Sequence, residues 1–263
     1  MELLILLIIV LIVVLIIINI RKPFNLESFF YNSKLINVAI LFTGYNIDEW
    51  DYEFVKAWND DIKFYFIWNK DKKENANSHV WANKIKELPN VTTLERFNSG
   101  WDATAWRDCV VKYYDEITKY DEIFLINNSM NYEKLNMKQI SELANQYDVY
   151  GIFYERDQSP HIDSYFTGFN HKTVNSNDFK QFFFYRFPKI NTHMEAVAKY
   201  EMNISKYFES KGYTFGSYIV TKRPHTSIYM IKPGDVNLND VKITTKKAHL
   251  KVDDNYSKWK RLK

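Results

Sequence analysis

The chain has 263 residues, a formal net charge of +3, 46% hydrophobic and 25% charged residues, and one cysteine. The apolar excess sits at one end: Leu3 to Ile18 are all Leu, Ile or Val, and once residues 1–22 are set aside, 33 basic side chains face 31 acidic ones. That balance excludes a disordered chain, a polytopic membrane protein and a strongly basic nucleic-acid binder, while the lone Cys109 excludes an internal disulfide framework and reads as a small buried hydrophobe.

Leu3–Ile20 would be about 27 Å long as a helix at ~1.5 Å per residue, close to the ~30 Å of a bilayer's hydrocarbon. Met1-Glu2 is not the basic start of a signal peptide, and no Ala or Gly follows the run. The expectation is therefore a retained single-pass anchor over 1–22. Arg21 and Lys22 flank its C-terminal side, which puts the body on the cytosolic face, with a lumenal type II arrangement as the alternative. The sequons at Asn90, Asn127, Asn203 and Asn255 do not decide the side.

Residues 23–34 read as a linker. Leu35–Phe42 is a short run of branched residues ending in Thr43-Gly44-Tyr45, a strand followed by a turn. Asp51–Asn59 fits a helix, Ile62–Trp68 a second strand, and His79–Leu88 a helix stopped by Pro89. Val91–Phe97 is a third strand, ending in Asn98-Ser99-Gly100. Asp102–Tyr120 carries Ala105, Cys109, Val110, Tyr113, Tyr114 and Ile117 on one face, an amphipathic helix. Tyr120–Ile126 is a fourth strand running into Asn127-Asn128-Ser129. Met137–Gln146 is a helix, Val149–Tyr154 a fifth strand and Ser164–Phe169 a sixth. Asn177–Tyr185 and Glu195–Lys211 are helices, and Ile228–Ile231 is a last strand before a basic tail over 246–263.

Strands alternating with helices over the first 155 residues predict an α/β domain over 35–245, with a mostly parallel sheet flanked by helices on both faces. Ligands of such sheets bind beyond the carboxyl ends of the strands. The residues to weigh there are Thr43-Gly44-Tyr45, Asn98 to Asp102 and Asn127-Asn128-Ser129. Gly-x-Gly-x-x-Gly, Walker, Gly-x-Ser-x-Gly and His-Glu-x-x-His signatures are all absent, so chemistry rests on isolated polar residues. Gly100 permits a close turn. Asp102 is a helix cap or a ligand hydrogen-bonder. Arg107 is a phosphate partner or half of a surface pair with Asp108. His161-Ile162-Asp163 has metal-ligand spacing, but a histidine beside Pro160 reads as exposed. His225 is a minor candidate to reach a diphosphate. Trp101 and Tyr165 are rings on which the C–H face of a sugar acceptor could stack.

Asn98-Ser99-Gly100-Trp101-Asp102-Ala103-Thr104-Ala105-Trp106 resembles the N-x-G-Y-D-x-G-x-W segment of the rhamnan synthesis protein F family. Tyr120 to Met130 is similar to its Y-D-E-hydrophobic-N-D-S segment, Ser164-Tyr165-Phe166 to its Q-S-Y-F strand, and Tyr200 to Ser205 with Gly212-Tyr213 to its Y-E-x-x-L-S…G-Y helix. The resemblance implies polysaccharide synthesis and a GT-A-like, Rossmann-related glycosyltransferase. It implies a nucleotide-sugar donor, with rhamnose or another deoxyhexose as the sugar, and a glycan or lipid-linked acceptor, with no nucleic acid. By the same resemblance Thr43, Gly44 and Tyr45 flank the nucleotide, Asn98, Gly100, Asp102 and Arg107 meet its base or ribose, and Asn127, Asn128 and Ser129 occupy the metal-motif position. Glu201 falls at the catalytic base, and Asp163, where the family usually has Gln, adds an acidic group near the acceptor. Because Asn127-Asn128-Ser129 has no carboxylate, no protein metal ligand is expected, and any Mg or Mn is held mainly by the donor diphosphate. A catalytically silent sugar- or nucleotide-binding scaffold is the alternative.

Overall fold

Alternation along the first strands decides what each face of the sheet buries. The structure, a computed structural model, describes residues 37–135, 137–155, 160–219 and 242–245. The expected anchor at Leu3–Ile20, the linker, His225, the strand at Ile228–Ile231 and the basic tail lie outside the described residues. Among the described residues no helix is long and apolar enough to cross a membrane.

Val38–Gly44 (β1), Lys63–Lys70 (β2), Val91–Phe97 (β3) and Glu122–Asn127 (β4) pair in parallel in the order β3-β2-β1-β4. Every residue of β1 is buried, as is nearly every residue of β2 and β4, which is why they read as continuous apolar runs. Successive side chains point to opposite faces. Phe42 meets Phe54 of Glu49–Trp58 (α1), with ring centroids 5.5 Å apart. Ala39 and Leu41 join the core beneath Trp101–Ile117 (α3), where Trp106 and Cys109 are buried and the Trp106 indole donates to the Leu41 carbonyl at 3.0 Å. Ala76–Lys86 (α2) covers the α1 side.

The second half departs from the expected mostly parallel sheet. Phe166–Asn170 (β8) runs antiparallel to β4, and Val149–Glu155 (β6) antiparallel to β8. Only ten residues separate the end of β6 from the start of β8, too few for the crossover a parallel pair needs. Phe215–Ile219 (β9) pairs parallel with β6 after a long helical return, and His161–Ile162 (β7) pairs with the end of β6. Met130–Lys134 (β5) and Lys242–Thr245 (β10), neither of them expected, form a two-stranded antiparallel sheet. The sheet is thus mixed.

Short helices follow: Met137–Ser141 (α4), His171–Val174 (α5), Asn177–Gln181 (α6), His193–Ala196 (α7) and Met202–Glu209 (α8). The two uninterrupted helices expected over 177–185 and 195–211 each contain a π turn, at Phe182–Arg186 and Val197–Glu201. Each wide turn rotates the residues that follow relative to those before. Tyr200 thereby turns inward onto Trp106, Phe182 and Phe187, at centroid distances of 5.8, 6.3 and 5.3 Å.

Candidate functional site

Strand direction decides what meets at the carboxyl edge. β1 to β4 all end there; β8, running the other way, begins there, so the Asp163-Ser164-Tyr165 turn before it reaches the same edge. α3 starts from that edge through Gly100 (φ +72°) and Trp101 (φ +53°), two successive left-handed residues. A Cβ on Gly100 would lie 2.0 Å from the Thr104 hydroxyl, so glycine is needed there on both counts. Trp101 holds a conformation that costs a non-glycine residue on the order of 1–3 kcal/mol and persists only where its surroundings impose it.

Asp102 is not the helix cap that its position suggested. Gly100 takes that place without any side-chain bond, and the Asp102 carboxylate instead accepts from the Asn127 amide at 2.9 Å. Burial pushes the Asp102 carboxyl up against the pull of the Asn127 bond and the Arg96 guanidinium, and with the added charge of Glu201 the net result is about 7.

The strand-end asparagines are closely tied into the protein. Asn127 Oδ1 accepts from the Ser129 N–H at 3.1 Å and from the Ser129 hydroxyl. Asn128 accepts from the Tyr45 N–H at 3.2 Å, and its amide donates to the Tyr45 carbonyl at 2.9 Å and to Asp51 at 3.0 Å. Asp51 in turn closes the capping box of α1. Gly44 makes this possible: a Cβ there would come within 3.1 Å of the Asn128 amide. The buried Thr43 accepts from Asn69 at 2.9 Å, and Asn69 accepts from Arg96 at 2.7 Å. Arg96 also donates to Asp108 at 3.0 Å and to the Ser99 carbonyl at 2.7 Å. No motif pointed to Arg96, a lone cation on an edge strand. The Asn127-Asn128-Ser129 turn offers no anionic ligand and its amides are engaged, so it does not fit a divalent ion.

The acidic residues converge nearby. His161 Nε2 stands 3.9 Å from Asp163 Oδ1 and 3.9 Å from Glu201 Oε1. One ligand atom from each of these residues lies within 4.8 Å of the others. Glu201 closes the second π turn, and its carboxylate accepts from the Ser164 N–H at 3.3 Å. The Ile162 N–H donates to the Ser205 hydroxyl of α8 at 3.1 Å, which fastens β7 to the same helix. Contrary to expectation, His161 is not exposed: its side chain is 14% accessible.

The remaining sequence candidates scatter. Arg107 pairs with Asp108 at 3.1 Å over the Phe187 ring, with its side chain 43% exposed. Tyr165 is buried, whereas Trp101 is partly exposed and meets the His193 ring edge-on at 6.1 Å. The Asn98 N–H donates to the Lys70 carbonyl at 2.8 Å. Asp102, Asn127 and Ser129 are joined by hydrogen bonds, whereas Glu201 and Asp163 each stand 3.9 Å from His161.

The sequence profile of rhamnan synthesis protein F matches residues 75–256. No curated protein matches the chain in sequence. Among solved structures the chain is similar to the mannosyltransferase PcManGT from Pyrobaculum calidifontis in complex with GDP-Man and Mn2+, at 10% identity and a TM-score of 0.45, over 75% of this chain and 58% of that one. It is also similar to the galactosyltransferase LgtC in complex with donor and acceptor sugar analogues, at 10% identity and a TM-score of 0.41, over 80% and 87%. A third likeness is to the glycosyltransferase GlyE of Streptococcus pneumoniae, at 9% identity and a TM-score of 0.38, over 69% and 45%. The chain spans less than two thirds of the length of the first and third of these proteins.

Proposed function

Because the chain belongs to the rhamnan synthesis protein F family, we propose that it is a glycosyltransferase of polysaccharide synthesis. It moves a sugar, rhamnose or another deoxyhexose, from a nucleotide-diphosphate donor to a glycan or lipid-linked acceptor with inversion. In that reaction an acceptor oxygen attacks the anomeric carbon, the bond from that carbon to the diphosphate oxygen breaks, and the nucleoside diphosphate leaves with the bonding pair. The acceptor's proton passes to a carboxylate. The observation that carries this reading is the gathering of Asp163 and Glu201 with His161 at the carboxyl edge, from chain segments far apart in sequence. Glu201, the base that the family resemblance nominates, is one of these carboxylates.

The test is incubation of the 263-residue chain, in mild detergent, with a panel of nucleotide sugars, following release of nucleoside diphosphate. Turnover of one donor, lost in Glu201→Gln while the variant still melts as the parent does, is the expected result. Binding of a donor without any turnover would support a second reading, a silent sugar- or nucleotide-binding scaffold. The closed Asn127-Asn128-Ser129 turn favours that reading, because it holds no carboxylate at the usual metal position.

Leu3–Ile20 is proposed to anchor the enzyme beside its acceptor, with the body on the cytosolic face. Retention in the membrane pellet after alkaline extraction, with the body open to protease added from the cytosolic side, is the expected behaviour. Protection from that protease would favour the lumenal arrangement.

A further inference from the structure

One ligand atom from each of His161, Asp163 and Glu201 lies within 4.8 Å of the others. The His161 ring nitrogen stands 3.9 Å from each carboxylate, too far for a direct hydrogen bond to either. Ligand atoms of one octahedral ion held at about 2.1 Å lie ~3 Å apart when adjacent and ~4.2 Å apart when opposite. The observed spacings, all within 4.8 Å, therefore need shifts of only a fraction of an ångström to close on an ion.

We propose that His161, Asp163 and Glu201 bind a divalent cation of the Mn2+ or Mg2+ kind. The two carboxylates are the ligands that suit such hard ions, and the imidazole nitrogen is a borderline ligand beside them. The ligands are also set in advance. β7 is tied to α8 through Ile162 and Ser205, and the turn after β7 is tied to Glu201 through the Ser164 N–H. A site built on such supports keeps its geometry without the ion.

The site lies at the same edge as the Asn127-Asn128-Ser129 turn, which cannot serve an ion. A donor diphosphate is itself anionic and would be repelled by these carboxylates unless a cation stood between them. That role in catalysis, though not the binding of the ion, rests on the transferase reading.

The experiment is titration of Mn2+ into the 263-residue chain without donor. Free Mn2+ is followed by its electron paramagnetic resonance signal, and melting is followed in parallel. The parent is expected to bind Mn2+ saturably and to melt higher with it. Asp163→Asn and His161→Gln are expected to weaken binding by at least about tenfold, the scale on which even the indirect partners of a bound metal act. Ser129→Ala, at the usual metal position of the family, is expected to bind as the parent does. Equal melting of parent and variants without Mn2+ identifies the loss as a loss of ligands; should one variant fail to fold, the other carries the test. Absence of saturable binding by the parent overturns the site, as does binding indifferent to both substitutions. Sugar transfer by a chain that binds no Mn2+ would overturn the site and leave the transferase standing. Ligand-dependent Mn2+ binding with no transfer of any donor would support the site and remove the transferase.

Discussion

Along one edge of the sheet, two polar groups are organised in opposite ways. On the β1–β4 side, Asn128 meets Tyr45 and Asp51 at 2.9–3.2 Å, and Thr43, Asn69 and Arg96 continue a chain of direct hydrogen bonds. On the β7–α8 side, His161 stands 3.9 Å from both Asp163 and Glu201. The first group closes on itself through direct hydrogen bonds, so it fixes the shape of the edge. The second brings two carboxylates around an imidazole with no direct hydrogen bond from the ring to either, the arrangement proposed above to hold an ion. Polar residues at strand ends are therefore poor guides to a site until their partners are known.

The largest effect expected from breaking this contrast is catalytic. Glu201→Gln or Asp163→Asn should lower turnover by about 10²–10⁴-fold, the scale of general acid–base and charge contributions, while leaving the fold intact by circular dichroism. A large stability loss in both variants would move these carboxylates to the structural side of the comparison.

Asn128→Asp probes the other side. It restores the carboxylate of the family's N-D-S pattern but sets it where the amide now donates to the buried Asp51 at 3.0 Å. Leaving like charges buried together should cost roughly 3–5 kcal/mol in urea unfolding. The defect should shrink as pH falls, because the pair can then share a proton. Stability equal to the parent's after Asn128→Asp would mean that this turn is looser than its bonds imply.

Away from the edge, Asp148 offers a smaller, purely structural reference. Burial alone would raise its carboxyl, but the Thr214 N–H and hydroxyl, Lys172 and Asn170 bond the charged form and hold it below the usual carboxylate value. A depressed folded-state value stabilises above the unfolded value of 3.8 and is lost as pH falls through the folded one. Asp148→Asn should cost about 1.5–3 kcal/mol at neutral pH. That difference from the parent should narrow in acid below the unfolded value, as followed by melting.

The smallest effect belongs to Arg107→Ala. Its pair with Asp108 is half-exposed, so stability should change by no more than ~0.5 kcal/mol. A donor KM that rises in this variant without a change in melting would return Arg107 to the phosphate partner its sequence position first suggested.

What the sequence by itself determined is local. β3 runs over Val91–Phe97 as expected, and β1, β2 and β4 follow from their apolar runs. The buried face of α3, with Ala105, Cys109 and Val110, follows from its spacing. Periodicity records which face of a segment is buried, and that depends only on neighbours along the chain. Tertiary structure alone decided that Asp102 turns from capping to Asn127, that Asn128 closes on Asp51, and that the later strands run antiparallel. It also decided that a π turn sends Glu201 toward His161 and Asp163, roughly forty residues earlier in the chain. These pairings depend on strand order, strand direction and a single wide helical turn, and no spacing within one segment encodes any of them.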